Sequence, residues 1–126
     1  MEKVDCFNKE YNYIKDNKKR EDLKYLVSNL PDYFFEIPAS STGKYHPKFA
    51  ITENGLVKHT KVAVRIAKEL LDNPGLNNFK DNEKDIIIMA LVLHDGFKSG
   101  VVKEKYTRFD HPLLAADFIR KQKDNI

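Results

Sequence analysis

The most constraining stretch of this 126-residue chain is the apolar run Ile86 to Leu93, because it leads directly into His94-Asp95-Gly96. Eight apolar residues in a row belong in a core. A carboxylate and an imidazole delivered together into such surroundings cost several kcal/mol unless both are satisfied. A metal ion satisfies both at once. The remaining sequence is therefore best read for what it can place around this pair.

The run predicts a helix from about Asn82 or Glu83 to Asp95, capped by Asp81 or Asn82 and apolar nearly all round, hence central and mostly buried. Before it, a helix is expected over about Gly55 to Asn73, stopped by Asn73-Pro74-Gly75. Its apolar face reads as Val62, Ala63, Ile66, Ala67 and Leu70, and His59 shares that face. After it, Asp110 as N-cap and Pro112 in the first turn predict a helix opening at His111. Toward the N-terminus, Phe7, Tyr11 and Ile14, then Leu23, Leu26, Val27 and Leu30, recur at helical spacing on either side of the polar run Lys15 to Arg20. Pro31 opens a further short piece that Pro38 ends. No segment alternates as a strand does. The fold expected is all-α, a bundle of about five to six helices.

Charge and cysteine content narrow the partners. The net charge is +3, and of 22 basic residues only Arg20, Arg65, Arg108 and Arg120 are arginine. Lysine spread along the chain is a solvated surface that favours anionic ligands; it is no stripe for nucleic acid. The single Cys6 permits no internal disulfide and no thiolate zinc site, as suits a reducing compartment. The N-terminal residues lack the apolar core of a signal peptide. The run at 86–93 is far short of the roughly 20 residues that span a membrane. A cytoplasmic protein with no membrane and no nucleic-acid partner is expected.

His59, the pair His94-Asp95 and His111 come from three different expected helices, and helical bundles build metal sites from side chains on facing helices. Each histidine alone would read as a core or capping residue. As a set they would place unexplained polar groups on buried faces. Imidazole and carboxylate without thiolate suit Mn, Fe, Co, Ni or Zn, and Mg with more water ligands. Between residues 38 and 54, Ser40, Ser41, Lys44 and Tyr45 lie in a loop that reads as a surface connection or as a phosphate cradle.

His59 followed 35 residues later by His94-Asp95 on an apolar helix resembles the HD-domain superfamily of metal-dependent phosphohydrolases. Lys98 extends the doublet as His-Asp-x-x-Lys, and His111-Pro112-x-x-Ala115-Ala116 is similar to the segment that supplies a further histidine in dinuclear members. The loop at 40–47, with Gly55-Leu56-Val57-Lys58-His59-Thr60, resembles a bacterial and phage-type subgroup. The resemblance covers about residues 36 to 120. It implies one HD-like unit over residues 1–126, with 1–35 an N-terminal helical segment and 36–126 the HD core. It further implies a divalent metal site, of one or two ions, held by His59, His94, Asp95 and His111. Asp95 and Lys98 would serve catalysis, the lysine by neutralising charge on phosphate or donating a proton. Ser40, Ser41, Lys44, Tyr45 and Arg108 would hold the phosphate of a substrate, expected to be a nucleotide or related phosphoester. Arg65, six residues after His59, reads instead as a surface residue. The family pattern closes with a distal aspartate that has no counterpart here, since Asp117 and Asp124 do not match it. The expectation is therefore a C-terminally incomplete core, completed by an oligomer or a partner chain, or else a non-catalytic HD-like module that binds a nucleotide or a protein.

Overall fold

The computed structural model describes residues 2–38, 54–98, 100, 110–123 and 125. Among them the chain is all-helical. A 3-10 turn at Lys3–Phe7 leads into the single turn α1 (Asn8–Tyr11), followed by α2 (Asn17–Ser28) and a 3-10 turn at Asp32–Phe35. The long helices α3 (Gly55–Leu71) and α4 (Asp81–Leu93) come next, and α5 (His111–Lys121) follows. No described helix is long and apolar enough to cross a membrane.

Local chemistry explains the boundaries. Asp16 caps α2, its side chain accepting from Lys19 N at 2.8 Å. Arg20 reaches back from α2 to the carbonyls of Tyr11, at the end of α1, and of Ile14, in the turn that follows it. At α4 the expected caps, Asp81 and Asn82, are helical residues. The cap position is Lys80, whose N–H donates to the Glu83 carboxylate at 2.8 Å. The sequence signal was the acidic residue three positions in, which can bind the backbone one turn earlier. Asp110 does precede α5, but it caps through its carbonyl, which accepts from Leu113 N and Leu114 N, with no side-chain cap.

Two expected faces differ. The buried side of α3 carries Leu56, Val57, Thr60, Val64 and Leu71, while Val62, Ile66 and Leu70 point outward. The helix is apolar on two sides, and periodicity alone does not choose between them. A threonine belongs on the inner side because its hydroxyl donates to the Leu56 carbonyl at 2.9 Å. Likewise α4 is buried along Asp85, Ile88, Val92 and Leu93 but leaves Ile86 and Ala90 exposed, so it is one-sided.

One apolar cluster runs from Phe7, Tyr11 and Ile14 through Leu23, Leu26, Leu30 and Phe34 to Leu56, Val64, Ile88, Val92, Phe97 and Ala115. The N-terminal segment is thus built into the packing of α3, α4 and α5. The helices α3 and α4 run antiparallel, with Leu71 and Asp72 beside Asp81 and Lys84 at one end, and Ala67 across from Ile87 further along. Asp85, buried in α4, accepts from Lys15 N at 3.0 Å and Asp16 N at 3.1 Å, one bond to each oxygen. It clamps the start of α2 onto α4.

Candidate functional site

The site forms where α4 ends. His94 is the C-cap, and residues 94–98 continue as tight turns, with Gly96 N donating to Leu93 O and Lys98 N to Asp95 O. The last carbonyls of a helix lack partners within it. His94 uses one: its ring curls back so that Nδ1 lies 2.6 Å from Leu91 O. That contact fixes Nδ1 as the protonated nitrogen and turns Nε2 outward. Nε2 lies 3.2 Å from Asp95 Oδ2.

Asp95 is 4% exposed. Its second oxygen, Oδ1, lies 3.0 Å from His111 Nε2, on the first residue of α5. The turn is held down from below and beside. Gly96 passes so close to Leu30 that a Cβ there would lie 2.6 Å from Leu30 Cδ2. Phe97 packs on Phe118 of α5 with ring centroids 5.0 Å apart, and the Tyr33 hydroxyl donates to the Gly100 carbonyl.

The electrostatics follow from this geometry. Burial alone would raise the Asp95 carboxyl, but the His94 hydrogen bond and the charges of His94, Lys98 and His111 outweigh it and hold the pKa at about 2. The hydrogen bond that His94 donates to Asp95 is the main cause that raises His94, against desolvation and the charge of Lys98. Both ring nitrogens of His94 face acceptors, which favours the charged ring with a second proton on Nε2. A cation bound at Nε2 would do the same electrostatic work as that proton.

The donor set fits a divalent metal in two respects. Imidazole nitrogen and carboxylate oxygen are the ligand types that first-row transition metals accept. Two donors about 2.1 Å from one ion and at right angles are about 3 Å apart, the separation seen between Asp95 and each imidazole. The backbone contact that orients the His94 ring is the kind of outer support metal-ligating histidines use. As placed, no three His, Cys, Asp or Glu side chains among the described residues close around a common point.

Of the expected metal ligands, His94, Asp95 and His111 are therefore brought together. His59 is half-buried on the second turn of α3. His59 lies toward the N-terminal end of α3, and His94 follows the C-terminal end of α4. Lys98 is half-buried beside the pair, close enough for its charge to act on both. The expected phosphate-binding residues Ser40, Ser41, Lys44, Tyr45 and Arg108 lie outside the described residues. Asp117 is paired with Lys121 at 3.0 Å and Arg120 at 3.7 Å on the outside of α5. Arg65 is largely exposed, as expected, yet its Nε reaches Glu10 at 3.4 Å.

Two buried carboxylates had no sequence signal. Asp85 finds its partners 69 and 70 positions away. Glu10 is fully buried, with Oε2 facing Arg65 and Oε1 without a hydrogen-bond partner among the described residues. Each sits in a charged segment where a surface position is the natural reading. No known family model matches the chain, and no curated protein or solved structure is significantly similar to it.

Proposed function

We propose that this chain is a metal-dependent phosphohydrolase acting on a nucleotide or related phosphoester. The observation that carries the reading is the buried Asp95 carboxylate with an imidazole on each oxygen, one of them oriented by a backbone carbonyl. The likeness of His59, His94-Asp95, Lys98 and His111 to the HD pattern supplies the reaction class. His94, Asp95 and His111 would hold a divalent metal, with His59 of α3 as the further ligand the HD likeness implies. When bound, such an ion lowers the pKa of a coordinated water and polarises a phosphoryl oxygen. Asp95 supplies the negative charge that retains a cation in a buried place. Lys98 supplies a mobile ammonium for the charge that grows on a phosphate leaving group.

The test pairs metal binding with turnover. Metal-stripped protein is titrated with Mn, Fe(II), Co, Ni, Zn and Mg by calorimetry, then assayed on phosphomonoester, phosphodiester and nucleotide substrates. Stoichiometric binding of a divalent metal, with binding and turnover both lost in Asp95→Asn, is expected. Lys98→Ala should bind metal normally and lose turnover by about 10²-fold or more. If no divalent metal binds to the stripped protein, the reading is wrong. Tight nucleotide binding with no turnover under any metal would favour a non-catalytic binding module.

A further inference from the structure

A hollow of about 440 Å³ lies between the 3-10 turn at Lys3–Phe7, the turn at Asp32–Phe35 and the start of α3. Small-molecule sites run to roughly 300–1,000 Å³ and combine an apolar lining with a few polar groups. Phe35 and Val57 give this hollow apolar walls, and the half-buried Cys6 thiol lies among them. Asn54, Lys58 and Lys61 enter it from one side of α3, at four- and three-residue spacing. Asp5 enters it from the 3-10 turn.

The fold spends little on these polar groups. Asn54 is the N-cap of α3, yet its side chain makes no cap hydrogen bond. Among the described residues, the Lys58 ammonium and the Asp5 carboxylate have no hydrogen-bond or ion-pair partner. The Lys61 ammonium has only the Phe7 ring, 5.9 Å from its centroid. Lys3, which also lies over Phe35, is by contrast engaged by Asp32 and the Leu30 carbonyl. Two cations therefore face one hollow with a single carboxylate among them. The unmatched charge is one positive unit, which suits a monoanion. The apolar walls suit a ring attached to it, and an inorganic ion would leave them uncovered.

We propose that this hollow binds a small aromatic carboxylate, its ring against Phe35 and Val57 and its carboxylate on Lys58 and Lys61. None of His94, Asp95, Lys98 and His111 lines the hollow, so the site does not depend on the proposed chemistry.

Sodium β-naphthoate is titrated into the full chain in EDTA. Calorimetry follows binding, and the rate of alkylation by iodoacetamide follows Cys6, the single cysteine. Saturable, equimolar binding that slows alkylation is expected. Lys58→Glu should weaken binding by about tenfold or more, with an unchanged thermal midpoint because Lys58 is exposed. Lys61→Met, which keeps an unbranched side chain over Phe7, should weaken it as well. The neutral β-naphthamide should bind about tenfold more weakly than the carboxylate or worse. Lys98→Ala should leave binding unchanged. Absence of binding at millimolar naphthoate overturns the proposal. So does binding that either Lys58→Glu or Lys61→Met leaves intact, binding that leaves Cys6 alkylation unslowed, or equal affinity for the amide. Loss of binding in Lys98→Ala would overturn it by seating the carboxylate beside the acid–imidazole pair.

Discussion

Replacing Asp95 by asparagine removes one charge with almost no change of shape, so it isolates what the two imidazole contacts contribute. The Asp95 carboxyl is held at about 2, against an ordinary value of 3.8. At 1.36 kcal/mol per pH unit this corresponds to about 2 kcal/mol of folding stability. Because the folded-state value is lowered, that stability is fully present above about pH 4 and is lost as the pH falls toward 2. His94 has the opposite sign. Its folded value is raised from 6.5 by the Asp95 hydrogen bond, so its contribution is complete below 6.5 and is lost as the pH rises through the raised value. The two overlap in a window from about pH 4 to 6.5. In metal-stripped protein, Asp95→Asn should cost about 2 kcal/mol at about pH 5.5 and less as the pH rises through the raised His94 value and the ring loses its charge. For a chain of this length the lower-pH cost amounts to roughly 6–10 °C in thermal midpoint. Urea unfolding followed by circular dichroism, with EDTA present, measures the cost across this range. Equal costs below and above the raised His94 value, or a variant more stable than the parent at about pH 5.5, would refute the charge-pair account of this site.

Asp85→Ala should destabilise the fold by about 3 kcal/mol, because it strands two backbone N–H groups that now bond a carboxylate. Asp85→Asn should recover about half of that, and hydrogen exchange at Lys15 and Asp16 should speed up in both; full protection in Asp85→Ala would contradict the clamp. Gly96→Ala should cost about 1–3 kcal/mol by forcing a methyl group against buried Leu30. Thermal unfolding should show the cost shrinking in a Leu30→Ala background, and an unchanged cost there would place the strain elsewhere.

The helical class and the two elements around His94-Asp95 were legible because their signals are local. A long apolar run, a His-Asp doublet at its end, and Asp-His-Pro at a helix start each speak for themselves within a few residues. The inner face of α3 was not legible, since Val62, Ile66 and Leu70 and the set Leu56, Val64 and Leu71 both repeat at helical spacing. Only the N-terminal residues packed against the second set decide between them. Asp85 was missed for a related reason: in Asp81-Asn82-Glu83-Lys84-Asp85 it looks like one more surface charge. Its burial is set by two amides that precede it by about 70 residues. The convergence of His111 on Asp95 was expected from the HD resemblance. Composition and spacing alone would have left His111 a helix-start residue.

The approach of Gly96 to Leu30 gives residues 1–35 a different standing from that of an appended segment. The turn that carries the acid–imidazole pair rests on Leu30, just past the end of α2, and Tyr33 holds the same turn by Gly100. A change in the length of α2 would tilt His94 and Asp95 against His111 without touching any of the three. The N-terminal helices and the candidate site are mechanically one piece.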